Sequence, residues 1–182
     1  MPRDVFGFED ATAIPDEVQA ADDKTLRLSS VEIAPGDVDA FLVYQRALRD
    51  YLEFSPVCRA AWVEQLAEAH RRSLSEARLD PARHARLAPI AADFSGKRMT
   101  VRRLRERLRE LNDRIARMEA EGARVPPPDR ELVGKLAAEL GRLDQLYPLE
   151  RRYGAGAIAA LREREDELVA LHEQLSPLLS RD

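Results

Sequence analysis

The chain has 182 residues, of which 45% are apolar and 34% are charged, and its formal net charge at pH 7 is −4. This composition favours a soluble helical protein over a membrane protein or a wholly disordered chain. The single cysteine excludes an internal disulfide framework and a four-cysteine zinc site. No apolar run approaches the roughly 20 residues that a membrane span needs, so we expect no membrane span.

Charge is unevenly distributed along the chain. Residues 1–39 carry ten acids and three bases, whereas residues 97–128 carry ten bases and five acids. Such segregation is typical of a chain whose acidic part lies on its basic part, or of two surfaces for two different partners. The sequence leaves both interpretations open.

Residues 1–35 are predicted to form a mostly irregular acidic arm, because prolines interrupt them and no helical period persists. The N-terminus lacks a basic start followed by an apolar run, so no signal peptide is visible. We therefore expect a cytoplasmic protein. The alternative is an exported protein whose signal segment lies outside this sequence. Residues 36–182 are predicted to form a single helical-bundle domain.

Helix start signals divide the first half of this domain. Asp37 follows Pro35-Gly36 and is predicted to cap a first helix, while Ser55-Pro56 and Asp80-Pro81 start a second and a third. We expect the third helix to end at Ser95-Gly96. The residues predicted to face inward recur at helical spacing, and they are Phe41, Leu42, Leu48, Tyr51, Leu52, Trp62, Val63, Leu66, Ala69 and Leu74.

An unbroken heptad seam follows. Its apolar residues are spaced alternately by three and four positions, and they are Val101, Leu104, Leu108, Leu111, Ile115 and Met118. This fourth helix should stop at Gly122, where three prolines begin soon afterwards and form a rigid turn. Asp129 is expected to cap a fifth helix. The seam of that helix has the same spacing and consists of Val133, Leu136, Leu140, Leu143 and Tyr147.

The two seams match when the chain folds back at the prolines. The facing positions are then 104 with 147, 108 with 143, 111 with 140, 115 with 136 and 118 with 133, and each pair joins an a to a d position. The flanking charges agree, because Arg105 would approach Asp144 and Arg114 would approach Glu139. The sequence therefore predicts an antiparallel, coiled-coil-like hairpin over residues 98–147.

The remaining segment completes the predicted architecture. Pro148 and Gly154-Ala155-Gly156 should kink or restart the chain, and a last helix follows to about Ser176 with Arg164 as its one polar fault. We expect an all-α fold, namely an antiparallel helical bundle of five to six helices that contains the heptad hairpin. The hairpin either projects from the bundle or packs within it.

No residue pattern indicates catalysis. Cys58 lies near a predicted helix start, where the pKa of a thiol is lowered, but no recognisable motif ties a histidine to it. His70, His84 and His172 lack a glutamate three positions earlier, so the Glu-x-x-His spacing of helical metal sites is missing. No glycine-rich phosphate-binding loop is present. We expect no catalytic residue, no metal site and no cofactor.

Arginines form a stripe along the predicted fourth helix. Its members recur at spacings of four, three and four, and they are Arg98, Arg102, Arg105 and Arg109. A second edge of the same helix carries Arg103, Arg107, Arg114 and Arg117. A phosphate backbone would bind such a surface, but acidic residues interrupt it and the whole chain is acidic. A protein partner is therefore favoured.

These observations together predict a non-enzymatic, helical protein–protein interaction module. It would be an adaptor, a chaperone-like protein or a self-associating component that docks helix against helix. Arg98, Arg102, Arg105 and Arg109 would bind the partner, which is another protein of acidic character or a second copy. The alternative is a nucleic-acid-binding protein that uses the same stripe.

Overall fold

The computed structural model describes residues 32–54 and 61–180, and their regular secondary structure is helical throughout. The helices are α1 (Pro35–Phe54), α2 (Trp62–Glu76), α3 (Pro81–Ala120), α4 (Pro127–Leu143), α5 (Tyr147–Tyr153), α6 (Ala155–Arg162) and α7 (Glu165–Leu179). The predicted all-α class is confirmed. Residues 1–31 of the predicted acidic arm and the predicted helix start at Ser55-Pro56 lie outside the described residues.

Two predicted helix caps have different outcomes. α1 begins at Pro35 rather than after Asp37, whose carboxylate accepts a hydrogen bond from the backbone N–H of Ala34 at 3.1 Å. Asp37 therefore lies in the first turn and bonds back to the residue before the helix. Asp80 caps α3 as predicted, because its carboxylate accepts from the N–H groups of Ala82 (2.9 Å) and Arg83 (3.0 Å).

The predicted helix end at Ser95-Gly96 is wrong, because α3 continues through it to Ala120. Ser95 is buried, and a Cβ added at Gly96 would lie 3.7 Å from Nε2 of His172. Helix α7 therefore packs directly beside the glycine. A glycine lowers helix stability by only about 1 kcal/mol, which packing against a neighbouring helix overcomes.

The hydrophobic core lies where α1, α3, α6 and α7 meet. Its fully buried side chains include Val38, Phe94, Val101, Ile158, Leu161 and Leu168. The core-facing prediction holds for most of α1 but is wrong for Val63 of α2, which is 78% exposed. The buried residues of α2 are Ala69 and Ser73, and helical geometry places Val63 about 120° around the helix from Ala69.

Three predictions in the second half of the chain are also corrected. Asp129 does not cap α4, which begins at Pro127 and has Asp129 in its first turn. Tyr147 starts α5 and is 65% exposed, so it does not belong to the seam of α4. The predicted last helix is divided by a turn at 163–164, and α7 runs past Pro177 to Leu179.

Candidate interaction surface on the helical hairpin

The C-terminal part of α3 and the whole of α4 run antiparallel. Near the open end of the pair, Arg105 Nη2 lies 2.6 Å from Asp144 Oδ2, which confirms that predicted contact. Near the turn, Arg130 Nη2 lies 2.8 Å from Glu119 Oε1. Since the later residue of α3 pairs with the earlier residue of α4, the helices run in opposite directions. We call residues 106–143 the distal hairpin.

The turn of the distal hairpin is closed by a glycine. Gly122 has a φ of +70°, a conformation that residues with a Cβ rarely adopt. This conformation lets the N–H of Ala123 donate to the carbonyl of Met118 at 2.8 Å, which satisfies one of the last carbonyl groups of α3. The predicted stop at Gly122 thus agrees with the structure.

The distal hairpin leaves its apolar side chains partly exposed. Helix α4 has no buried residue and packs against α3. Within the distal hairpin, the apolar residues that reach full burial are Leu111 and Val125. The other seam residues are only partly buried, and they are Leu108, Ile115, Met118, Val133, Leu136, Leu140 and Leu143. Two helices that share one apolar seam cannot enclose it, because each seam side chain still borders solvent. The heptad register of the seam stays a prediction.

Helix α4 carries more apolar surface than its seam with α3 needs. Leu132, Leu136 and Leu143 are four and seven positions apart, so helical geometry aligns them within about 40°. Leu132 is 39% exposed. We call this strip the open face. Arg114 of α3 reaches α4 near the same strip, since its Nη2 lies 3.1 Å from Oδ2 of Asp129.

The first residue of the predicted arginine stripe is internal. Arg98 is only 8% exposed, and its guanidinium lies 2.6 Å from Asp144 Oδ1 and 2.9 Å from Glu165 Oε1. Burial alone would lower the pKa of Arg98, but the hydrogen-bonding and charge interactions with Asp144 and Glu165 together outweigh burial and raise it. Arg98 is therefore mostly enclosed by its own chain, and its predicted partner binding stays a prediction. It joins α3 to the end of α4 and to the start of α7.

The other members of the stripe differ in their surroundings. Arg102 pairs with Asp166 and lies 3.7 Å from Glu165, while Arg105 pairs with Asp144. The hydrogen bond from Arg98 and the charge of Arg105 help to hold the pKa of the Asp144 carboxyl below its usual range. Arg109 is exposed and forms no ion pair within residues 32–54 and 61–180. Partner binding by Arg102, Arg105 and Arg109 stays a prediction.

The excess positive charge of residues 97–128 lies where arginines form ion pairs within the chain. Residues 106–128 carry five bases and five acids, so the basic excess of this region lies in residues 97–105. There Arg98, Arg102, Arg103 and Arg105 all meet carboxylates from the end of α4 or from α7. The residue pattern could not predict this matching, because the acids that provide it lie about 40 to 70 positions further along the chain.

The second arginine edge remains on the surface. Arg107 Nη1 lies 3.2 Å from Glu110 Oε2, and both side chains are about 60% exposed. Arg114 pairs with Asp129, so the predicted approach of Arg114 to Glu139 is wrong. Glu139 instead lies 2.6 Å from Arg142, its neighbour three positions away on α4. The second edge thus borders the open face, where Arg107 is held by an exposed pair, whereas the carboxylate that pairs with Arg114 is only 18% exposed.

A cluster of aromatic and imidazole rings lies away from the hairpin, between α1, α2 and α3. The Tyr44 hydroxyl lies 2.8 Å from Nδ1 of His70, and the ring of His84 packs 4.4 Å from Tyr44 and 4.8 Å from His70. Burial raises the pKa of Tyr44 to about 12. Burial, and next the charge of His70, lower the pKa of His84. The cluster packs three helices together and disfavours a protonated His84.

The remaining candidates add no site. In the described part of the chain, no three His, Cys, Asp or Glu residues lie together as a metal site would need. Cys58 lies outside the described residues. No described helix is both long enough and apolar enough to cross a lipid bilayer. The chain matches no protein-family model, no curated protein and no solved structure.

Proposed function

We propose that this protein is a non-enzymatic protein–protein interaction module whose distal hairpin binds a helix along its open face. The observation that carries the proposal is the partial exposure of the open face, where Leu132, Leu136 and Leu143 border solvent on a helix without a buried residue. An amphipathic helix laid against these leucines would bury apolar surface that the two-helix hairpin cannot enclose.

The second arginine edge would give the open face a preference for an acidic partner. Arg107 and Arg114 lie on the side of α3 that borders the open face, and their side chains are 61% and 56% exposed. A partner helix that carries acidic side chains beside its apolar stripe would exchange the weak, exposed pair of Arg107 with Glu110 for contacts across the interface. Such border charges set specificity and register more than affinity.

Nucleic-acid binding is the weaker candidate. Three of the four arginines in the predicted stripe already pair with carboxylates of this chain. The distal hairpin carries as many acids as bases, so it offers no continuous positive surface to a phosphate backbone.

Peptide binding tests the proposed function. The probe is a fluorescent synthetic helix with leucines at heptad spacing and glutamates at the border positions, and a second peptide has the same composition in scrambled order. We expect fluorescence anisotropy to detect binding of the patterned peptide only. Leu132→Glu should weaken binding at least tenfold, because it places a charge in the apolar strip.

Ala138→Glu is the matched control. Ala138 is exposed, lies on the same helix and is more than 100° around it from the open face. It should leave peptide binding unchanged. Equal binding of the patterned and scrambled peptides, or equal effects of the two variants, would contradict the proposal. Salt-sensitive binding of a duplex DNA without peptide binding would favour the nucleic-acid alternative.

A further inference from the structure

We propose that the helix-bearing partner is a second copy of this chain, so that two distal hairpins pack by their open faces into a four-helix bundle. The inference rests on the proposed function, because it names the partner of the same surface. Three features of the distal hairpin support it: its charge, its dimensions and the arrangement of the charged residues beside its open face.

The charge of the distal hairpin permits self-association. Residues 106–143 carry eight bases and eight acids, so two copies of this region do not repel each other through net charge. Four of the five bases in the neighbouring residues 97–105 pair within each copy with carboxylates, and these carboxylates are Asp144, Glu165, Asp166 and Glu173. Because net charge does not oppose the contact, burial of leucines would contribute most of the free energy of association.

The dimensions of the surface are those of a specific interface. Helix α4 has 17 residues and is about 26 Å long, and a pair of helices is about 20 Å wide. Two such faces in contact would bury on the order of 1,200 Å² in total. This is at the lower end of the range for specific protein–protein interfaces, so a reversible dimer is expected.

The border charges favour one of the two symmetric arrangements. When the twofold axis runs along the hairpins, α3 of one copy faces α4 of the other, and the copies point the same way. The register that pairs Arg105 with Asp144 places Glu139 between the levels of Arg107 and Arg114. Each copy would then set Glu139 against the arginine edge of the other.

The other symmetric arrangement lacks this match. When the axis runs across the hairpins, α3 faces α3 and the two arginine edges meet. Glu110 lies on the same edge, but the arginines of that edge outnumber its acids, so like charges would face each other across the contact. The parallel arrangement is therefore the one we propose.

Sedimentation equilibrium of the full chain tests the dimer. We expect a concentration-dependent monomer–dimer equilibrium for the unchanged protein. Leu132→Glu should weaken the dimer at least tenfold, whereas Ala138→Glu should leave the dimerisation constant unchanged. Circular dichroism confirms that both variants keep their helical content. A protein that stays monomeric up to about 100 µM, or a dimer that tolerates Leu132→Glu, would overturn the inference.

A pair of charge reversals tests the arrangement. Glu139→Arg removes the acid that would face the arginine edge of the other copy, and Glu131→Arg changes an acid on the solvent side of α4. Each of these glutamates forms one ion pair with a neighbour on its own helix, Arg142 or Lys135, so the two variants lose a similar contact within the monomer. We expect Glu139→Arg alone to weaken the dimer, by at least threefold. Equal effects of the two reversals would exclude the parallel arrangement.

The failure of this inference differs from the failure of the proposed function. If the chain is monomeric but the patterned peptide binds in a Leu132-dependent way, the module binds another protein and the dimer is wrong. If the chain is monomeric and no peptide binds, both proposals are wrong. If the chain dimerises and Leu132→Glu disrupts both dimer and peptide binding, both proposals stand.

Discussion

Arg98 and Asp144 lie 2.6 Å apart and join the first helix of the hairpin to the end of the second. The same guanidinium lies 2.9 Å from Glu165 of α7, so one side chain connects three helices. Arg98 is buried, whereas the side chain of Asp144 is 40% exposed. This contact fixes the base from which the distal hairpin extends.

Replacing Arg98 should destabilise the protein more than replacing its neighbour Arg102. Arg98→Met leaves Glu165, whose side chain is 18% exposed, without its closest cation, and should cost about 2–3 kcal/mol. Arg102→Met should cost less than about 1 kcal/mol, because its partner Asp166 is 95% exposed. Urea denaturation followed by circular dichroism measures both values. Equal losses would mean that burial of the Arg98 network adds nothing to stability.

Leucines of the hairpin should differ in their contribution to stability according to burial. Leu111 is 4% exposed and Leu132 is 39% exposed. Leu111→Ala should lower the free energy of unfolding by about 3 kcal/mol, and Leu132→Ala by less than about 1 kcal/mol. Hydrogen exchange of α4 amides, together with urea denaturation, locates and measures the loss. A larger cost at Leu132 in the monomer would contradict the described packing.

Two glycines of α4 should be replaceable with a gain in stability. A Cβ added at Gly134 or at Gly141 would meet nothing within 4 Å. Because alanine restricts the unfolded chain and favours helix, each substitution by alanine should stabilise the protein by about 0.5–1 kcal/mol. Gly122→Ala is the control and should destabilise by about 1 kcal/mol, since Gly122 has a φ of +70°. Thermal denaturation measures these changes. Each variant also carries Leu132→Glu, which weakens the proposed dimer, so that the monomers are compared.

Stability should decrease in mild acid because of His84. Its pKa is lowered by burial and next by the charge of His70, so the folded state binds a proton less readily than the unfolded state. The associated stability is complete above about pH 6.5 and is lost as the pH falls from there toward the lowered pKa. His172 acts in the same direction, because burial lowers its pKa.

Denaturation at a series of pH values measures this effect. Between about pH 7 and pH 5, the free energy of unfolding should fall more steeply for the unchanged protein than for His84→Gln. His172→Gln should remove a separate part of the slope, and the double variant should have the smallest slope of the four proteins. A double variant with an unchanged slope would mean that carboxylates alone cause the acid sensitivity.

Much of the fold follows from local sequence signals. Asp80 caps α3, Gly122 ends it, and the leucine pattern on each side of the prolines predicts two helices that the ion pairs of Arg105 and Arg130 place antiparallel. These predictions succeed because a cap, a positive φ and an apolar stripe each depend on residues within one or two turns of helix.

The candidate site depended on information that local patterns lack. The arginine stripe is visible in the sequence, but whether Arg98 faces solvent depends on Asp144 and Glu165, which are 46 and 67 positions away. The same applies to Ser95-Gly96, where a local stop signal is overridden because α7 packs beside it.

The sequence by itself determined that the chain is helical and that it folds back at its prolines, because helix period, caps and turns are short-range properties of the backbone. Only the tertiary structure decided which charges are matched internally and which leucines border solvent. Burial and ion pairing depend on distances between segments far apart in the chain, and those distances exist only after the helices have packed.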